Sequence, residues 1–349
     1  MPANSGRGWI VGPGFDLLFL ANLGWLLLLL PGFATRSDTV IDFWQIYFIT
    51  LPHRWITLVL VVLDGDRRGT QSRLLWVIAA AFAVLVLGVA LGTGALLCLA
   101  LVDYVWNAWH FASQHAGVLR MYARKVGGGS AWLERWGLRG FVTYGALRAA
   151  GWATGWVEAG TALHLPGVEL SAELGRTLLA AFDFGILAIP LALVVTNLKG
   201  FARERTGKLA YLLSVCALYA GLVLSLHFAW GGLVVVFAAA GSMFHAVEYL
   251  AVVTHYARRR QTVGSDGRFR ALARYWLLFL LVYVLALGTV GAWAGRPESG
   301  LFVFWTGLNL WAAFVHYAFD GLIWKLRKPE TAAALGVGGA GGVGGAGNA

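Results

Sequence analysis

Val105-Trp-Asn-Ala-Trp-His-Phe-Ala-Ser-Gln-His115 decides how this chain is read. The stretch lies inside an apolar run, 95–121, long enough to cross a bilayer, yet it carries two histidines five residues apart. Imidazole is costly in hydrocarbon, so an ionisable group inside a span is read first as part of a functional site. Other segments should then bring matching groups to the same depth.

The surrounding composition supports a membrane setting. The 349 residues are 59% hydrophobic and 13% charged, about half the charged share of a soluble domain. Seventeen tryptophans and twenty phenylalanines suit interfacial belts and a bulky lipid-facing exterior. The net charge of +10 does not point to nucleic acid, because the basic residues sit in short loops between apolar runs. Cys98 and Cys216 fall inside apolar runs and form no zinc-type pair.

At about 20 residues per crossing, ten spans are expected: 15–33, 40–63, 74–92, 95–121, 135–157, 176–198, 209–228, 231–256, 272–294 and 300–325. Arg139 and Arg148 interrupt the fifth, and only Gly92-Thr93-Gly94 divides the third from the fourth. Loops after even-numbered spans are basic, as in Arg120, Arg124, Lys125 and Arg135, or Arg258-Arg259-Arg260. Opposite loops hold little basic charge. The positive-inside rule then puts both termini in the cytoplasm. The expectation is an all-α, polytopic bundle of a bacterial-type inner membrane. Residues 1–328 form one transmembrane domain, and 329–349 form a disordered Gly/Ala-rich tail.

Of the eight histidines, His164 and His227 read as surface or interfacial. The other six lie in spans two, four, eight and ten. Counting back from the cytoplasmic charges, His53, His110, His115, His245 and His316 fall in a layer roughly 7–20 Å deep at 1.5 Å per residue. Glu248 and Asp320 share that layer, while His255 belongs at its rim. Five histidines at one depth on four helices outweigh the usual explanation of a lone intramembrane histidine, which is packing.

His316 and Asp320 are i,i+4, and His245 and Glu248 are i,i+3, so each pair shares a helix face. Asp320 could ligate a metal, orient His316, or simply neutralise Lys325 and Arg327. Glu248 could ligate or make a helix-packing hydrogen bond. Gln114 shares the His110 face and could donate to a ligand or substrate. His110 and His115, i,i+5, face one ion only if the helix bulges near Ala112–Gln114; otherwise they serve separate roles. Pro52 should disturb the backbone beside His53. Arg54 needs a carboxylate, with Asp103, Asp183 or Asp42 in reach. Histidine and carboxylate donors without thiolate suit iron, copper, manganese or zinc, and open positions suit iron that activates O₂.

The order of motifs Pro52-His53, Trp109-His110-Phe111, His245-Ala-Val-Glu248 and His316-Tyr-Ala-Phe-Asp320 resembles the Brp/Blh family of membrane-embedded β-carotene central-cleavage dioxygenases. The resemblance implies an iron site with His53, His110 and His245 among its ligands. It covers four short motifs. His53 lacks the family's following Gly-Ala-Leu-Asp, the acid after His110-Phe111 is missing, and Tyr249 stands where a second histidine belongs. The expected function is a membrane oxygenase acting on a carotenoid, retinoid or fatty-acyl lipid. His53, His110, His115, His245 and His316 would bind Fe²⁺, with Glu248, Asp320 and Gln114 in catalytic roles. Membrane lipids would surround the protein, and an electron donor is compatible with that chemistry. Alternatives are a transporter with a His/Asp/Glu relay and a haem protein with two axial histidines.

Overall fold

A long apolar run in lipid can bond its backbone only to itself or to a closed sheet, and this chain folds as helices. The structure is a computed structural model that describes residues 8–30, 43–65, 69–154, 172–262, 267–327 and 329–337. No strand occurs among them. The helices are α1 (Leu51–Leu63), α2 (Ser72–Thr93), α3 (Leu97–Val126), α4 (Leu138–Thr154), α5 (Ala172–Ile186) and α6 (Ala188–Leu198). They continue with α7 (Thr206–His227), α8 (Gly231–Thr262), α9 (Gly267–Arg274), α10 (Trp276–Ala294), α11 (Phe302–Ile323) and α12 (Pro329–Ala334).

Among the described residues seven segments are long and apolar enough to cross a membrane: Gln45–Leu63, Ser72–Thr93, Leu174–Leu198, Arg203–His227, Gly231–Arg260, Trp276–Ala294 and Phe302–Ile323. These are the marks of a multi-pass integral membrane protein. Three expected spans are not among them, each for a physical reason. The run 15–33 breaks: a wide turn, Asp16–Leu20, gives way at Asn22 (φ 45°) to a tight 3₁₀ stretch, Leu23–Leu29. Buried Asp16 anchors the start of this segment by accepting the Ile10, Val11 and Gly12 N–H groups and the Tyr122 hydroxyl, at 2.6, 3.0, 3.2 and 2.7 Å. α3 has the length but carries too many polar groups, and the helical run through Leu133–Gly137 and α4 carries Glu134, Arg135, Arg139 and Arg148. The expected division between the third and fourth spans is present. Gly94, at φ 66°, ends α2 in the left-handed conformation that glycine adopts without strain.

The four helices that carry His53, His110, His245 and His316 form a ring of neighbours. α11 packs on α1 and α3, and α8 packs on α1 and α3. α10 lies against α1 and the π-helical turn Gln45–Thr50 before it. That approach depends on missing side chains: a Cβ on Gly288 would meet Phe48 at 2.5 Å, and one on Gly291 would meet Leu51. Small residues serve this purpose wherever membrane helices come close.

The chain's end differs from expectation at its start. Thr331, Ala332, Leu335 and Val337 are buried. Arg259 donates to the carbonyls of Ala333 and Ala334, and these contacts order the stretch against α8. The rest of the expected tail lies outside the described residues.

Candidate metal centre

Each wall of the site is set by local sequence. Pro52 lacks the N–H that would continue a regular ladder. The backbone before it widens into the π turn, where the Leu51 N–H bonds the Ile46 carbonyl five residues back. The Pro52 carbonyl also accepts the Tyr283 hydroxyl at 2.8 Å. His53 follows, fully buried. α3, α8 and α11 bring in His110, His245 and His316, also buried.

The imidazoles mirror the ring of helices. Centroids of His53 and His316 are 5.1 Å apart, His316 and His110 4.7 Å, His110 and His245 4.9 Å, and His245 and His53 4.9 Å. Neighbours meet edge to face. Ligand atoms of His53, His245 and His316 lie within 4.8 Å of one another, as do those of His110, His316 and Asp320. Two ligands on one ion, with bonds of about 2.1 Å, stand no more than about 4.2 Å apart. Small side-chain rotations would therefore close either group on a cation. His316 belongs to both groups.

Polar satisfaction divides these histidines. The Nδ1 of His316 is 2.7 Å from Thr57 Oγ1, and its Nε2 is 3.0 Å from His110 Nε2. A separation of 3.0 Å is that of adjacent ligands on an ion with bonds of about 2.1 Å. Both nitrogens of His53 and both of His245 are buried without a hydrogen-bond partner among the described residues. A buried polar group without a partner costs about 1–3 kcal/mol, and each such group calls for an explanation. One nitrogen from each of these rings, beside His316, fits a metal's donor set. The Phe111 ring stacks on His245 at 4.0 Å and shields it.

Outer groups fix the inner ones. Asp320 Oδ1 accepts from Tyr249 at 2.8 Å and from Thr57 at 3.3 Å. Its Oδ2 lies 3.7 Å from His316 Nε2 and 3.8 Å from His110 Nε2. Trp324 donates to the Tyr249 hydroxyl at 3.2 Å. Of the three carboxylates in question for Arg54, Asp103 supplies the contact, at 3.9 Å, and it also accepts the Tyr317 hydroxyl. Asp183 is engaged elsewhere, and Asp42 lies outside the described residues.

His115, Glu248 and Gln114 form a second cluster beside the first. His115 Nδ1 lies 3.2 Å from Glu248 Oε2, and Tyr211 donates to Glu248 Oε1. Gln114 donates to Glu248 at 2.6 Å and to the His245 carbonyl at 2.8 Å, linking the clusters. α3 is regular through Ala112–Gln114, so the bulge that would have turned His110 and His115 toward one ion is not there. Their wide angle sends them to different partners instead.

The remaining histidines also have places. His255 lies 3.1 Å from the Leu335 carbonyl. His227, read as interfacial, contacts Asp183 at 3.3 Å. His164 lies outside the described residues. The sequence reading missed Thr57 as a His316 partner and gave Tyr249 and Trp324 no role. A signal existed: Thr57 is four residues after His53, and Tyr249 four after His245, so both repeat on the site-facing stripe.

A cavity of about 670 Å³ opens onto this centre, with His110, Tyr317 and Asp320 at its inner end. No protein-family model, curated protein or solved structure matches the chain.

Proposed function

We propose that His53, His110, His245 and His316 bind a metal ion, with Asp320 as a further ligand or an orienting carboxylate, in a membrane-embedded oxidoreductase. The observation that carries this reading is the pair of buried imidazoles, His53 and His245, whose nitrogens find no partner inside a ring of four. The thiolate-free donor set suits non-haem iron, and the motif order resembles iron-dependent carotenoid dioxygenases. Bound there, iron would supply the activation of O₂ for oxidising a lipophilic molecule.

The chain's own residues do the rest. Thr57 accepts the Nδ1 proton of His316 and so leaves the Nε2 lone pair facing inward, the usual task of an outer partner. Thr57 and Tyr249 hold one oxygen of Asp320 and turn the other toward His110 and His316. Phe111 and Trp106 keep the surroundings apolar. Convergence of four imidazoles favours an ion over haem, whose two axial ligands need a flat slot between them. The second cluster, built on His115 and Glu248, supports the first through Gln114.

We also place α3 across the bilayer. It measures about 45 Å at 1.5 Å per residue, and its histidines face the protein interior. The basic ends of α3, α8 and α11 then point to the cytoplasm of a bacterial-type inner membrane.

Elemental analysis of the purified protein tests the core of this reading. About one iron per chain is expected, and His53→Ala, His245→Ala and His316→Ala should each lose it. Folded wild-type protein that takes up no metal when offered Fe²⁺ without oxygen would overturn the proposal.

A further inference from the structure

The cavity that reaches His110 and Asp320 has an unusual outer end. Arg120, Arg124, Arg135, Arg139, Lys325 and Arg327 all line it, and Asp320, at the other end, is the only acidic lining residue among the described residues. Arg120 is committed to Glu134 at 3.0 Å. For Arg124, Arg135, Arg139, Lys325 and Arg327 no carboxylate partner occurs among the described residues. Arg139 is the most constrained. Its guanidinium sits 5.5 Å from the Trp109 ring and 5.2 Å from the Trp136 ring, and its Nε is buried with no hydrogen-bond partner.

Cationic loops beside membrane helices are usually topology signals. Three features set this group apart. The cations come from α3, from the start of α4 and the turn before it, and from the stretch after α11. They converge on one half-open cavity, whose lining continues along α3 past Val118 and Gly117 to His110 of the histidine ring. Guanidinium forks match carboxylate and phosphate oxygens in two-point contacts. From His110 to Arg120 and Arg124 the helix advances roughly 15–21 Å, a span suited to an extended hydrocarbon chain.

We propose that this cavity binds an amphiphile with an anionic oxyanion head, a carboxylate or a phosphate, held by Arg124, Arg135 and Arg139 with its chain directed toward His110 and Asp320. The inference rests on the function proposed above and narrows its substrate class. A hydrocarbon carotenoid has no head group to use these cations; an acyl chain with a charged end does.

The test measures binding, so it does not depend on metal or turnover. Metal-free full-length protein in phosphatidylcholine nanodiscs is titrated with radiolabelled oleate, lysophosphatidate and uncharged oleyl alcohol. Saturable 1:1 binding is expected for at least one anion, about tenfold or more tighter than for the alcohol, given the strength of charge-assisted hydrogen bonds. The tighter of the two anions identifies the head group. Arg139→Gln should erase most of that preference. Gly117 lines the cavity midway, and a Cβ there meets nothing within 4 Å, so Gly117→Leu should block the chain and abolish binding with every cation in place. Equal binding of oleate and oleyl alcohol would overturn the proposal. So would anion binding untouched by Gly117→Leu, which would indicate adhesion of lipid head groups to the outer surface. Anion binding retained in His53→Ala keeps this inference separate from the metal: either can fail alone.

Discussion

Two of the buried groupings of histidine and carboxylate in this bundle, around Asp183 and around His53 and His245, are built on opposite plans. Around Asp183 every charge is answered. Tyr144 donates at 2.5 Å, Arg148 reaches both carboxylate oxygens at 3.2 and 3.3 Å, and His227 closes the set at 3.3 Å. Around His53 and His245 the nitrogens are left open while the shell behind them is complete: Thr57, Tyr249 and Trp324 fix His316 and Asp320 but leave those two rings without partners. A closed network stabilises the fold. An open one with a finished outer shell is prepared to take a further partner. Residue type does not separate the two; the accounting of donors and acceptors does.

Substitutions should pull the two plans apart. The largest effect is expected for His53→Leu. Metal affinity should fall more than about 100-fold, beyond the range seen for outer partners. Thermal unfolding of the metal-free protein should hold steady or rise, because an unpartnered polar group is replaced by an apolar one of similar size. Asp183→Ala should do the reverse. It should cost about 3 kcal/mol, since it strands Arg148 and His227, and leave metal content unchanged. If His53→Leu destabilises the metal-free protein as much as Asp183→Ala does, the contrast is false.

Next in size is Thr57→Val, which removes the acceptor on His316 Nδ1. Metal affinity should drop about 10- to 100-fold with little change in unfolding, as read by competition with a metallochromic chelator. Smallest is Glu248→Gln. Interhelical hydrogen bonds in membranes contribute about 0.6 kcal/mol each, and up to about 1.7. A loss of stability on that scale is expected, with metal affinity within about threefold of wild type. A large loss of metal would instead make Glu248 a ligand.

Much of the bundle was legible because hydrophobic length is a strong signal. The shared depth of His53, His110, His245 and His316 followed from helix rise alone. The first expected span failed where polar residues interrupted an apolar run. Asp16 collects three backbone N–H groups and the Tyr122 hydroxyl, and the left-handed turn at Asn22 divides a plausible span into two short turns. Depth also could not tell His115 from His110. They are neighbours along the axis, but about 140° of rotation on a regular helix sends one to Glu248 and the other to the ring. Thr57 and Tyr249 were hidden because a hydroxyl on an apolar helix looks like packing until its partners are known.

His316 is common to both candidate ligand groups, and it lies on α11, which follows the helices that carry the other histidines. A ribosome delivers α1, α3 and α8 with their histidines well before α11 exists. Neither group can be completed by a chain inserted only that far. Metal capture would therefore be a late event in biogenesis, reserved for molecules whose whole bundle has assembled, and truncated or stalled chains would be left without reactive metal in the membrane.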